Sequence, residues 1–460
     1  MLNKKALISA LMLAGSLSAI AQSSTNSPYT RYGLGDLSDR GFANNAAMGG
    51  IGYALRNSGH INMMNPASFT AVDSLSFMFD VGMSLKSSNF QENGIKNNAR
   101  NSSFDYIAMQ FRLHPRLGMA IGFIPYSTLG YNFTTTQPVE GIENVTATNL
   151  FYGDGGLQQI TGGLGFKVLD NLSIGVNAGY LYGTLQYQAT KGFSVSSDQT
   201  NVYNNIKVNS YVADFGLQYT QAINKSDKVT LGLVYGLGHT LNSTDTRGIQ
   251  VTDNSSYSSV NEHVVNDSYG IPHTYGVGLA YNHAKSLTVG IDYSLEKWSK
   301  VKYENSTNAY NDRTKIAAGV EYLPNPIGRS YLKRIRYRAG GYYKSAYLKL
   351  PQCDGPSEYG ISAGLGLPLY LFQRNTILNV TGQYVRVNPS VSNMLSENRF
   401  VIKIGLTTKF IYDENEDVYN AGSTFIEYNS SFRSKRSGRW FSFWTWRRQS
   451  PLPPEHQYLY

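Results

Sequence analysis

The sequence predicts an all-β protein, a transmembrane β-barrel of about 14 antiparallel strands with an N-terminal plug in its lumen. The clearest evidence is a sustained alternation of apolar and polar residues, with apolar side chains at Leu75, Phe77, Phe79, Val81, Met83 and Leu85. Period-two alternation places the apolar side chains on one face of a strand. Because a bilayer offers no water to unpaired backbone groups, strands with a lipid-facing side must close into a barrel.

The connections between these stretches alternate between short and long. The predicted strands lie near 74–86, 103–113, 117–126, 155–168, 172–186, 207–223, 229–241, 271–283, 286–298, 313–323, 334–345, 358–369, 375–388 and 399–410. Even-numbered strands are followed mostly by tight turns, odd-numbered strands by long polar connections such as 127–154, 187–206 and 242–270. Barrels of the outer membrane have short periplasmic turns and long outer loops. An even strand count then places both termini in the periplasm.

The first 21 residues predict export. Lys4 and Lys5 precede an apolar run over 6–17, and Ala19-Ile20-Ala21 offers a cleavage site of small residues. The run is too short to span a bilayer, so residues 1–21 read as a signal peptide. The predicted location is the outer membrane, with the barrel over 74–410.

Composition and motifs argue against an enzyme. The single Cys353 excludes an intrachain disulfide, and no complete phosphate-binding loop or cluster with metal-ligand spacing is present. His239 and His273 are expected near the outer rim, without a convincing nucleophile and acid beside them. We therefore expect no catalytic site, no metal, no cofactor and no nucleic-acid partner.

Residues 22–73 do not alternate and are rich in small residues and methionine. Glycines recur on the predicted inward face of the strands, at Gly163, Gly165, Gly175, Gly179, Gly183, Gly232, Gly236, Gly238, Gly276, Gly278 and Gly290. Glycine inside a strand often marks the close approach of another backbone or of a ligand. The pattern favours a packed plug over 22–73. An open passage and a disordered leader are the alternatives.

Several short motifs resemble the FadL/TodX long-chain fatty acid transporter family. They are Asn65-Pro66-Ala67 ahead of the first strand, Ile271-Pro272, Asp292-Tyr293-Ser294, Trp298-Ser299 and the stretch from Asp312 to Ala317. The layout also resembles divergent members in the Bacteroidetes, where the same architecture need not carry fatty acids. The resemblance implies passage of a small, fatty-acid-like hydrophobic molecule across the outer membrane, with lateral exit through the wall.

The resemblance also implies a set of candidate residues for ligand binding and gating. Loop 127–154 would capture the ligand with Leu129, Tyr131, Phe133 and Phe151, and Met63, Met64, Asn65, Pro66 and Ala67 would gate the lumen. Pro125 is a candidate for distorting the wall, because proline removes a donor from the ladder.

Charged residues are expected inside the barrel. Arg334, Arg336 and Arg338 alternate with apolar residues, and a cation facing lipid at mid-bilayer costs about 2–4 kcal/mol. Glu321, Asp292 and Glu296 fall on inward faces of neighbouring strands. The set predicts either a network that pins plug to wall or a conduit for an anionic head group.

Residues 411–460 carry an acidic stretch and then arginines and lysines among Trp440, Trp444 and Trp446. This predicted periplasmic tail would contact membrane lipid or a protein partner, or form a weakly ordered extension. This tail suggests an alternative function for the chain. The chain would be a non-transporting barrel subunit of an outer-membrane protein assembly or secretion complex.

Overall fold

The computed structural model describes residues 25–411, apart from 75, 254–257, 305–308, 351–352, 372–373 and 392–393. The predicted signal peptide and nearly all of the predicted tail lie outside the described residues. Within the described ranges, no helix is long and apolar enough to cross a membrane.

Fourteen antiparallel strands form the wall, and all of the predicted strands are confirmed. They are β1 Ser76–Glu92, β2 Ile95–His114, β3 Leu117–Pro138, β4 Thr146–Lys167, β5 Leu172–Phe193, β6 Ser196–Ala222, β7 Asp227–Gly236, β8 Thr274–His283, β9 Leu287–Glu296, β10 Arg313–Tyr322, β11 Arg336–Lys344, β12 Ser357–Leu371, β13 Arg374–Asn388 and β14 Ser396–Ile411. Strand β14 pairs with β1 from Ser396↔Gln91 to Ile411↔Ser76, which closes the barrel.

The wall is apolar outside and polar or glycine-lined inside. On β10 and β11, Ile316 and Tyr343 lie side by side facing outward, and both are exposed. Glu321 and Arg338, on the opposite face of the same strands, are buried. This alternation is that of an outer-membrane barrel whose outer face contacts lipid.

The long connections differ from the prediction, because most of their length is strand rather than loop. Strands β3 and β4 stay paired up to Pro138↔Thr146. The connection 242–270 contains a hairpin, Ser243–Thr252 with Ser258–Asn266, which pairs with β6. Antiparallel pairing satisfies backbone groups beyond the bilayer, and cross-strand aromatic contacts such as Phe133–Phe151 at 5.1 Å support it. We call this end of the barrel the hairpin end and the other the short-turn end.

Residues 25–73, here called the N-terminal segment, run along the inside of the barrel. The segment contains 3₁₀ helices Pro28–Arg31 and Pro66–Ala71, a strand Asp36–Leu37 and a short α-helix Ala43–Ala46. At the hairpin end, Ser27 Oγ donates to Glu397 at 3.0 Å. At the short-turn end, Arg112 donates to the carbonyl of Val72 at 3.1 Å.

This path separates the first described residues from the start of β1. The two ends of the strand set, Ser76 and Ile411, do meet at the short-turn end, as an even count requires. The first described residues nevertheless lie at the hairpin end, because the N-terminal segment traverses the lumen before β1 begins.

Short elements complete the described chain. Strands His239–Thr240 and Gly270–Ile271 pair with each other, and a 3₁₀ helix covers Trp298–Lys300. An α-helix, Tyr331–Arg334, lies between β10 and β11 at the short-turn end.

Candidate functional site: the filled lumen

The inward face of the wall is shaped around the backbone of the N-terminal segment. A Cβ atom added at Gly319 or Gly340 would collide with the backbone of Met48, and one at Gly175 would collide with Pro66. An added Cβ would also collide with backbone atoms of the segment at Gly165 and Gly232. It would collide with side-chain atoms of the segment at Gly163, Gly216, Gly276, Gly278 and Gly290. Of the glycines predicted to face a plug, Gly179, Gly183, Gly236 and Gly238 meet other parts of the wall region instead.

Asn65 joins the segment to β6. Its Oδ1 accepts from the backbone N of Ala67 at 3.1 Å and so caps the 3₁₀ helix, and Pro66 occupies the first helical position. Its Nδ2 donates to the carbonyls of Tyr53 at 2.8 Å and Leu217 at 3.2 Å. Since Asn65 and Ala67 are both fully buried, the motif forms a fixed clamp in this state.

The two methionines before this motif lie in different surroundings. Met63 is buried, and its methyl group lies 3.3 Å from where a Cβ on Gly122 would stand. Met64 is partly exposed and packs beside Gly52.

Carboxylates and cations also tie the segment to the strands. Asp292 on β9 accepts from the backbone N atoms of Gly52 at 2.6 Å and Tyr53 at 2.9 Å. Arg40 donates to Asp214 on β6 at 2.5 Å. The structure therefore places Asp292 on the segment's backbone, away from the arginines with which it was grouped.

A second tie lies toward the hairpin end. Asp39 of the segment accepts from Lys315 on β10 at 3.1 Å and from Lys344 on β11 at 3.2 Å. Arg399 on β14 donates to Asp36 at 3.2 Å and also pairs with Glu397. Sequence reasoning missed this group, because its members come from four separate stretches of the chain.

The charged cluster predicted on β10 and β11 is present in part. Glu321 accepts from Arg336 at 2.8 Å and from Arg338 at 2.6 Å. Arg338 also donates to His60 Nε2 at 3.0 Å, which links the cluster to the N-terminal segment. Glu296 lies apart from this cluster and pairs with Arg313 at 2.7 Å.

The inward position predicted for Arg334 is wrong. Strand β11 begins at Arg336, so Arg334 belongs to the short helix before it. Its side chain is exposed, and its guanidinium lies 5.6 Å from the ring centre of Tyr331.

The predicted capture residues point into a packed apolar cluster at the hairpin end. Leu129 and Tyr131 on β3 are buried there, with Phe133 and Phe151 packed against the cluster. Their neighbours include Leu34, Leu157, Leu181, Leu185, Leu241 and Trp298. Side chains of the protein itself thus occupy the place predicted for an open capture surface.

Beside this cluster lies a cavity of about 80 Å³. Its lining includes the charged residues Asp36, Arg313, Lys344, Glu358 and Arg399. Leu37, Leu348, Pro356 and Val387 also line it. A hydrocarbon in this cavity would leave the charged groups without water, which is unfavourable.

The wall itself is discontinuous between β2 and β3. Their pairing ends toward the hairpin end at Ile107↔Phe123. Beyond that point, β3 pairs with the N-terminal segment through Asp36↔Thr128 and Leu37↔Ser127. The segment therefore takes the place of β2 along part of this seam.

Pro125 lies at an irregularity of the same region. The register between β3 and β4 shifts between Pro125 and Ser127. Just beyond the shift, Gly155 and Gly156 pair with Leu129 and Thr128 and adopt φ values of +120° and +157°, which other residues rarely adopt. The structure thus places Pro125 at a wall distortion, as the sequence suggested.

The rim histidine His239 lies near a hydroxyl that sequence reasoning did not identify. Ser210 Oγ and His239 Nε2 are 3.1 Å apart. Ser210 is buried, which keeps it from any substrate in this state. Among the described residues, no group of three or more His, Cys, Asp or Glu side chains could hold a metal.

Solved channels share this fold. The toluene transporter TodX of P. putida has a TM-score of 0.58 and 13% identity, with 82% of this chain and 99% of that chain covered. The Ralstonia pickettii toluene transporter TbuX has a TM-score of 0.54 and 14% identity, with 81% and 99% covered. The monoaromatic hydrocarbon channel CymD has a TM-score of 0.54 and 14% identity, with 83% and 99% covered. All three are described as transporters or channels.

Comparisons at the sequence level give one family. No curated protein matches the sequence. The model of the BamG family matches residues 1–410, which include the whole described barrel except its last residue. The chain belongs to the BamG family.

Proposed function

We propose that this protein is a closed, non-conducting barrel that serves as a scaffold subunit of an outer-membrane protein assembly. One observation carries the proposal. The N-terminal segment is bound to strands on several sides of the lumen, through Asn65 to β6, Asp292 on β9, and Asp39 to β10 and β11. A barrel whose lumen is filled by a segment bound in this way retains its strands but has no open passage.

The space available supports the same proposal. A dry apolar cavity of about 150 Å³ is large enough for benzene. The cavity at the hairpin end encloses about 80 Å³, and five charged side chains stand among the apolar ones in its lining. Beside it, the apolar cluster around Leu129 and Leu157 is filled by its own side chains.

Two parts of the chain are suited to partners. Strands β3 to β6 reach 22 to 27 residues, well beyond the 9–11 that cross a bilayer, so their hairpins project from the membrane. The basic-aromatic residues 411–460 begin where β14 ends. We propose that the short-turn end faces the periplasm and that this tail binds a partner there.

A disulfide lock tests the scaffold against a transporter. Leu37→Cys with Ser127→Cys, in a Cys353→Ser background, joins two residues that face each other across the seam. The matched control is Asn89→Cys with Asn98→Cys, which pair within the β1–β2 hairpin. We expect the locked barrel to purify in mild detergent with the same stoichiometric protein partners as the control. Purification without any such partner overturns the proposal.

The seam between β2 and β3 favours one second candidate, passage of a small hydrophobic molecule through the wall. Solved structures of the same fold are described as toluene and hydrocarbon channels. In this candidate, Asn65 and residues 36–37 would have to move to open the lumen and the seam. Uptake of toluene by cells that carry the barrel, lost on locking and restored by reduction, would favour it. The same uptake assay can be made with fatty-acid-like ligands.

A further inference from the structure

One connection at the short-turn end is unlike the others. The turns at 115–116, 168–171, 223–226 and 284–286 have two to four residues, as expected for that end of a barrel. The connection between β10 and β11 covers residues 323–335. Closing a hairpin does not require this length, so the loop has another role.

The loop has a fixed shape. Leu323 and Ile335 at its two ends are buried. Inside it, the backbone N of Asn325 donates to the carbonyl of Lys333 at 2.8 Å, and the N of Ile327 donates to Asn325 Oδ1 at 3.1 Å. A compact surface loop held by its own bonds presents its side chains in a defined arrangement.

The loop folds against the lipid-facing side of the wall. Tyr337 on β11 alternates with the inward Arg336 and Arg338, so it faces outward. Its hydroxyl donates to the carbonyl of Leu332 at 3.1 Å. Residues 331–334 therefore lie beside the outer surface of the barrel, where bilayer and water meet.

The exposed side chains of the loop combine apolar and basic groups. Ile327 is 91% exposed and Leu332 is 65% exposed. Arg329, Lys333 and Arg334 are exposed as well, and the sequence has no Asp or Glu from 323 to 335. Apolar side chains that insert at the acyl boundary, with cations at the level of the phosphates, are typical of membrane-interface segments.

We propose that loop 323–335 is a binding site for anionic phospholipid in the leaflet at the short-turn end. Arg329, Lys333 and Arg334 contact the lipid phosphate, while Ile327 and Leu332 enter the acyl region. Lipid is the occupant because the loop continues the lipid-facing wall through Tyr337. The proposal does not depend on the scaffold function.

The first experiment counts bound lipid. The full chain is reconstituted in nanodiscs of phosphatidylethanolamine and phosphatidylglycerol, and retained lipid is counted by native mass spectrometry. Arg329→Gln, Lys333→Gln and Arg334→Gln together should lower retained phosphatidylglycerol about tenfold. The matched control removes three exposed basic residues of other short turns, Arg116→Gln, Lys225→Gln and Lys285→Gln, and should retain the wild-type amount. Equal retention in both variants overturns the proposal.

A second measurement stays informative if the triple variant fails to fold. A fluorophore on Ile327→Cys, in a Cys353→Ser background, should be quenched by nitroxide-labelled lipid. The control label on Ile142→Cys, exposed in the connection between β3 and β4, should be quenched by aqueous iodide. If iodide quenches the label at position 327 as strongly as the control label, the proposed lipid site is wrong. That result points to a protein partner.

Discussion

Asn65 of the N-terminal segment donates from Nδ2 to the backbone carbonyl of Leu217 on β6, at 3.2 Å. The same amide donates to the carbonyl of Tyr53 and accepts from the backbone N of Ala67. Both ends of the amide group are therefore used, and no other side chain of this size supplies a donor and an acceptor in these positions. The contact makes Asn65 a joint between segment and wall.

Asn65→Ala should loosen that joint. Two carbonyls lose a buried donor and the 3₁₀ helix loses its cap, each at a cost of about 1 kcal/mol or more. The Asn65→Asp variant keeps an oxygen that can cap the helix but has no Nδ2 donor. We therefore expect it to be less stable than the wild type because the two carbonyls lose their donor, while the cap is retained. The temperature at which the folded band disappears on a semi-native gel measures the effect. Asn98→Ala, at an exposed hairpin position, is the control and should leave this temperature unchanged.

Glu321→Gln tests the charged cluster. The side chain of Arg338 is 1% exposed and has Glu321 as its carboxylate partner at 2.6 Å. Removing one member of a buried ion pair costs about 3–5 kcal/mol, because the other charge stays buried. The same gel assay should show a large fall in the unfolding temperature. Glu262→Gln in the exposed outer hairpin should show none, and a fall of equal size there would contradict the explanation.

Gly340→Ala tests the fit between wall and segment. The added methyl group would collide with the backbone of Met48 and Gly49. We expect the barrel to fold while the N-terminal segment is displaced, which limited proteolysis detects as new cleavage within 25–73. Gly382→Ala is the matched control, because no atom lies within 4 Å of the added Cβ. Equal protection of the segment in both variants would refute the fit.

Acid should weaken the attachment of the segment near His60. Burial, and then the neighbouring Arg338 and Arg336, hold the pKa of His60 well below 6.5, against the opposing effect of Glu321. A histidine whose pKa is lowered on folding contributes stability above pH 6.5 that is lost as the pH falls through the folded pKa. Proteolysis within 25–73 should therefore rise as the pH falls below 6.5. His60→Gln should reduce that pH dependence, and an unchanged profile would exclude His60 as its source.

The sequence alone was enough to predict the wall. Strand number, the lipid-facing residues and the inward glycines follow from period-two alternation, which a barrel imposes on every strand. Pro125 was also identifiable, since a proline cannot donate to the ladder. These features depend on local pattern and on one physical requirement of the bilayer.

The contents of the lumen could not be predicted in the same way. Asp39 meets Lys315 and Lys344 across more than 270 residues, and no periodicity marks residues 25–73. Arg334 was misplaced because a turn of unusual length moved the start of β11 by two residues. Leu129 and Tyr131 were placed on an open loop because the continuation of β3 as strand was not foreseen.

Single-barrel conductance in planar bilayers tests the central claim, that the N-terminal segment closes this barrel. The measurement compares the wild-type chain with a variant that lacks residues 25–73 and keeps every wall strand. We predict no steady conductance for the wild type and stable open pores for the deletion. Equal conductance of both proteins would contradict it.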